Sequence, residues 1–152
     1  MCREVKGLIA IVQESIDVSA VLRVVSSNSS GATALFLGTV RDHGDKGPVS
    51  EMYYEAYPEM AEEALRKIEH QTTQRWNLLG FMAVHRLGNL KVGEISVAIA
   101  ASSEHRKEAF EACRYAIDAI KRSVPIWKKE ISATGSRWVE GVMLEDNQDG
   151  HV

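Results

Sequence analysis

Two apolar, β-compatible runs, at residues 79–87 and 94–101, are separated only by Gly88-Asn89-Leu90-Lys91-Val92-Gly93. Parallel neighbours need a crossover of a dozen or more residues, so runs this close pair as an antiparallel hairpin with a longer loop. The same reasoning applies to 126–131 and 137–142, which turn through Ala133-Thr134-Gly135-Ser136. Further strands are predicted at 8–12, 32–40 and 51–57, the second followed by a polar loop from Asp42 to Pro48. Asp17 is placed to cap a short helix carrying Val18, Val21, Leu22 and Val25. Pro58 opens a longer helix, with Glu59, Glu62 and Glu63 early and Arg66, Lys67 and Arg75 late; Met60 or Ala61, Ala64, Leu65, Ile68 and Thr72 mark its buried face. Ser102 and Ser103 suit the cap of a third helix that runs to about Arg122 and stops before Pro125. Strands joined by hairpins, with helices between them, predict an α+β fold with a largely antiparallel sheet rather than a doubly wound parallel one.

The chain has 152 residues, of which 45% are hydrophobic and 3 are proline, enough for one core and one domain over 1–152. The acidic stretch 143–152 is expected to be a frayed tail. Two cysteines, Cys2 and Cys113, are too few for a disulfide framework and point to a reducing, cytoplasmic setting. No run approaches a membrane span, and the apolar run 8–12 is too short for a signal segment. The five histidines, at 43, 70, 85, 105 and 151, lack the spacing of a metal site, and no phosphate-loop, dinucleotide or nucleophile-elbow motif occurs. A net charge of −3 argues against a nucleic-acid footprint.

That net charge conceals an asymmetry. Residues 104–137 carry eight Lys/Arg and five Asp/Glu, a local +3 that leaves −6 elsewhere. A basic segment in an acidic chain suits an anionic ligand such as a phosphate. On a helical wheel with Phe110 at zero, Cys113, Ile117, Ile120 and Val124 form one apolar stripe between about −20° and −80°, while Arg106 falls near −40° and Lys121 near +20°. A cation on a core-facing stripe either snorkels past the helix end or sits in a walled pocket. Lys121 fits both: it can interact with the last carbonyls of its helix, or be a partly desolvated lysine of lowered pKa. Mid-helix Cys113 reads as an inert small hydrophobe, and alternation puts Lys128 with Ile126 and Glu130, opposite Trp127 and Ile131.

The runs Phe-Leu-Gly-Thr-Val-Arg-Asp-His (36–43), Tyr-Glu-Ala-Tyr (54–57), Val-His-Arg-Leu-Gly (84–88), Ser-Ser-Glu-His-Arg (102–106), Phe-Glu-Ala-Cys-Arg-Tyr-Ala-Ile-Asp (110–118), Lys-Arg-Ser-Val-Pro-Ile-Trp-Lys-Lys-Glu (121–130) and Arg-Trp-Val-Glu (137–140) occur in order over nearly the whole chain. Together they resemble the large, catalytic subunit of molybdopterin synthase. The resemblance implies an α/β-hammerhead fold, a homodimer, and a heterotetramer with a small ubiquitin-like sulfur carrier whose C-terminal Gly-Gly thiocarboxylate enters the site. It further implies conversion of cyclic pyranopterin monophosphate to molybdopterin, with no metal or other cofactor. By the same resemblance the catalytic lysines correspond to Lys121 and Lys128, and the substrate-binding groups to Thr39, Val40, Arg41, His105, Arg106, Lys129 and Glu130. Asp42 stands where relatives often have Asn. A module that binds a carrier tail or phosphorylated metabolite without chemistry is the alternative expectation.

Overall fold

The strand at Ile95–Ser103 is buried at every position except its first. A strand of that kind must be covered on both faces, so it belongs in the interior of a sheet with helices on either side. The computed structural model describes residues 6–139. Its elements are β1 (Lys6–Val12), α1 (Val18–Val25), β2 (Ala32–Thr39), β3 (His43–Gly44), β4 (Gly47–Pro48), β5 (Glu51–Glu55), α2 (Pro58–Arg75), β6 (Gly80–Arg86), β7 (Gly88–Lys91), β8 (Ile95–Ser103), α3 (Arg106–Ser123), β9 (Trp127–Ser132) and β10 (Gly135–Val139).

The first sheet has the order β1-β6-β8-β2. β6 and β2 flank β8 in antiparallel register, whereas β1 runs parallel to β6 from Lys6↔Gly80 to Val12↔Arg86. That one parallel pair is possible because α1, four further strands and α2 separate its members in sequence. α1 covers one face, packing Val21 and Val25 on Val84, Ala98 and Ala100. The other face, with Phe81, Ala83, Val97, Ile99 and Ala101, is covered by α2 through Leu65 and Ile68 and by α3 through Cys113, Ile117 and Ile120. Fully buried side chains such as Phe81 and Leu65 contribute about 2–3 kcal/mol each by leaving water. Gly80 begins β6 where α1 ends: a Cβ there would lie 2.7 Å from Val25 Cα, so only glycine lets the two backbones approach.

A second sheet has the order β10-β9-β5-β7, with β9 antiparallel to both neighbours; β3 and β4 form a two-residue ladder of their own. No helix among the described residues is long and apolar enough to cross a membrane.

The α+β class and the predominantly antiparallel pairing agree with the sequence, as does the β6–β8 hairpin. Three details differ, and one open alternative is resolved. Ser102 and Ser103 do not cap the third helix: they end β8, where the Ser102 hydroxyl donates to the Val25 carbonyl (2.6 Å) and that of Ser103 to the His105 carbonyl (2.5 Å). His105 is the cap instead, without a side-chain capping bond. The connection 88–93 holds a short strand, β7, that leaves the hairpin to pair with β5. On α2, of the two expected alternatives Met60 and Ala61, Ala61 is the buried one and Met60 is exposed. Finally, Phe110 is 66% exposed, because the buried face of α3 is centred on Ala109, Ala112, Ala116 and Ala119 as well as Cys113 and Ile120. The wheel follows bulky residues, whereas alanines let this helix sit close to Val97, Ile99 and Ala101 of β8. The predicted frayed tail, 143–152, lies outside the described residues.

Candidate active site

Chain direction brings most of the predicted site residues to one end of the first sheet. α3 reverses over β8, so its last turn, with Lys121, returns to the level where β8 begins. β2 and β6 are antiparallel to β8 and therefore end at that level. Thr39 closes β2 at a register irregularity, paired with Ile95, and Val40 follows, 4% exposed. The Val40 N–H donates to the Glu94 carbonyl (3.0 Å) and its own carbonyl accepts from the Gly93 N–H (2.8 Å). Those two bonds fix the point from which exposed Arg41 departs.

Lys128 reaches the same place from the second sheet, where it stands opposite Tyr54 of β5. Lys121 keeps solvent contact along its side chain, yet its pKa is lowered, first because surrounding protein desolvates the ammonium and then because Lys128 and Arg41 add like charge. Both sequence readings of Lys121 thus hold in part: the residue is exposed at the end of its helix, and its ammonium is partly desolvated within a cluster of cations.

Beneath the lysines is a residue to which the sequence reading assigned no role, His85. It is 7% exposed, and its Nδ1 lies 2.9 Å from the Arg86 carbonyl oxygen. Its pKa is lowered to about 4, chiefly by burial and further by Lys121 and Lys128, so the imidazole is neutral at ordinary pH. Tyr54 meets the imidazole edge-on, with ring centroids 5.3 Å apart. Burial raises the pKa of Tyr54, partly offset by its hydrogen bond with Ser96. A strand-alternation signal for His85 exists: Phe81, Ala83 and His85 occupy successive core-facing positions of β6, and a polar ring in that row is out of pattern.

The remaining predicted residues are elsewhere. His105 and Arg106 are exposed at the start of α3, fifteen residues before Lys121, which at 1.5 Å per residue is about 22 Å along the helix. One chain does not bring them to the lysines, and Arg106 does not occupy the buried stripe predicted for it, because its place in the first turn lets it project into solvent. Lys129 lies on the opposite face of β9 from Lys128, its Nζ 5.4 Å from the centre of the Trp138 ring. Glu130 shares the Lys128 face and is ion-paired with Arg137 at 3.6 Å. Gly44 packs against the end of the Glu130 side chain, so the loop that follows Arg41 lies beside that carboxylate. Within that loop exposed Asp42 is engaged by His43 at 2.7 Å rather than by Arg41.

Cys113 is not in the site. It is 6% exposed, its thiol donates to the Ala34 carbonyl (3.4 Å), and burial pushes its pKa to about 11. Alkylation of Cys113 in the native protein at neutral pH, followed by peptide mass spectrometry, is expected to be about a hundredfold or more slower than in urea. Comparable rates in the two states would show that the thiol is reactive. Among the described residues, no three His, Cys, Asp or Glu side chains gather as a metal site.

Lys121 and Lys128 thus lie by a buried neutral histidine, with Arg41 near Lys121, and together they form a basic cluster suited to an anionic ligand. The model of the MoaE protein family matches residues 11–123. The chain is 43% identical over 133 residues to the molybdopterin synthase catalytic subunit of Homo sapiens, covering 88% of this chain and 71% of that protein. To the catalytic subunit of Pyrococcus abyssi it is 38% identical over 128 residues, 84% and 86% of the two chains. The crystal structure of molybdopterin synthase from Staphylococcus aureus is similar with a TM-score of 0.81 and 40% identity, over 86% of this chain and 95% of that one. The chain belongs to the MoaE family of molybdopterin synthase catalytic subunits.

Proposed function

We propose that this chain converts cyclic pyranopterin monophosphate to molybdopterin in the cytoplasm, taking two sulfurs, one from the C-terminal thiocarboxylate of each of two small ubiquitin-like carriers that dock in succession. The observation that carries this reading is the convergence of Arg41, Lys121 and Lys128 above His85. A cyclic phosphate and a thiocarboxylate are both anions, and they approach one another only where several cations offset their repulsion. Arg41 and Lys128 hold anionic oxygens and the charge that develops as the carbon–sulfur bond forms. Lys121, with its lowered pKa, has a larger neutral fraction than an ordinary lysine and moves the proton. The acyl group left on the transferred sulfur is then hydrolysed, which returns the carrier as a carboxylate. Sulfur arrives on the partner, so buried Cys113 has no part to play.

Thr39 and Val40 set the rim beside Arg41, and Glu130 lies against the adjacent loop at Gly44. Lys129, on the far face of the strand, adds to the positive field. His105 and Arg106 reach a substrate at Lys121 only from a second copy of the chain, because in one chain α3 holds the two groups a helix length apart. The active unit is therefore a homodimer whose two sites each draw on both chains, with one small carrier at each.

Incubation with thiocarboxylated carrier and the cyclic substrate, followed by oxidation, is expected to yield the fluorescent oxidised pterin, with loss of sulfur from the carrier by intact mass. Binding of both components without product would establish the non-catalytic module instead.

A further inference from the structure

His85 closes the core-facing row of β6, one position beyond Phe81 and Ala83, where the packing of α3 gives way to the lysine cluster. Groups from three other elements act on it: the Tyr54 ring of β5 touches it, and the charges of Lys121 of α3 and Lys128 of β9 lie near enough to influence it. Its neighbour Arg86 points its guanidinium elsewhere, to Glu94 at 2.9 Å and to the Gln13 carbonyl at 3.2 Å. The Arg86 carbonyl can only accept, so the 2.9 Å contact places the ring hydrogen on Nδ1 and leaves Nε2 with its lone pair. The ring plane is held from the side by Tyr54, whose hydroxyl is bonded to Ser96; the Ser96 hydroxyl donates in turn to the Gly38 carbonyl at 3.2 Å. Such an imidazole is oriented at one nitrogen and presents an acceptor at the other, among charged neighbours that are both donors.

We propose that His85 is a positioning residue for Lys121: an imidazole held at Nδ1 by the Arg86 carbonyl, whose Nε2 accepts a hydrogen from the lysine and aims its Nζ at the reacting centre. This rests on the reading that Lys121 moves the proton. A cationic group in this place would repel both lysines, and an apolar one would leave Lys121 without its acceptor. Because a hydrogen bond to the ammonium favours the charged form, loss of the acceptor lowers the lysine pKa further.

The test compares His85→Phe, which keeps ring volume and the Tyr54 contact, with His85→Gln, whose amide can donate to the Arg86 carbonyl and still present an oxygen. Both are assayed as dimers with thiocarboxylated carrier and cyclic substrate. In His85→Phe, kcat is expected to fall about tenfold or more with KM changed less than about threefold, and the acid limb of the kcat–pH profile to move down by about half a unit or more. His85→Gln is expected to restore most of kcat and leave the limb in place. Wild-type kcat in His85→Phe overturns the proposal. So do equal losses in the two variants with an unmoved limb, which would mark a purely structural residue. Failure of the parent reading is seen separately, as turnover retained by Lys121→Ala.

Discussion

Lys121→Ala is expected to lower turnover by about 10²–10⁴-fold while leaving the thermal unfolding midpoint nearly unchanged, because the side chain combines a proton-transfer role with a surface-reaching stem. Arg106→Ala is expected to reduce turnover severely as well. The informative experiment co-expresses the two. If each site takes Lys121 from one chain and Arg106 from the other, a mixed dimer has one site with both groups and one with neither. Random pairing makes half the dimers mixed, so activity should recover to about a quarter of wild type. Sites built within single chains would give no recovery, and that outcome would remove His105 and Arg106 from the shared site. The geometric basis is the extent of α3, which carries its two basic ends to opposite ends of β8.

Acid should destabilise the protein through His85 in a way that a substitution can isolate. Its folded pKa is lowered to about 4 from the ordinary 6.5, so between those values the unfolded chain binds a proton that the folded chain does not. Stability contributed by the neutral ring is therefore complete above pH 6.5 and is lost as pH falls toward 4. Between pH 7.5 and 4.5 the wild type should lose about 2–3 kcal/mol more than His85→Gln, whose side chain does not titrate. Urea denaturation at a series of pH values measures the difference in slope. Parallel pH dependences would mean that the imidazole is hydrated and ordinary.

Much of this architecture was legible in local signals. Asp17 caps α1 by accepting from the Ala20 N–H, Pro58 opens α2, and the eight residues between β6 and β8 make them antiparallel partners. Local signals do not reach the assembly of the two sheets, because β7 pairs with β5 across α2, and only tertiary register determines that. At the site, Lys121 emerged from the wheel because a cation near an apolar stripe is conspicuous. Arg106 was conspicuous for the same reason and is nevertheless exposed, since a first-turn residue can leave the helix face. His85 passed unremarked because its motif, Val-His-Arg-Leu-Gly, has no catalytic spacing; its meaning comes from two lysines and a tyrosine that arrive from other elements.

The alanine packing of α3 against β8 makes that helix a gauge bar. Its length sets how far the basic pair at one end stands from the lysine at the other, and its close seating sets how high Lys121 rides above His85. One residue inserted between them would lengthen the bar by about 1.5 Å and turn Lys121 about 100° away from Lys128. The loop between Arg41 and Val49 and the turn after β7 can take up such insertions without altering either dimension, so they are where a chain of this design has freedom to vary in length.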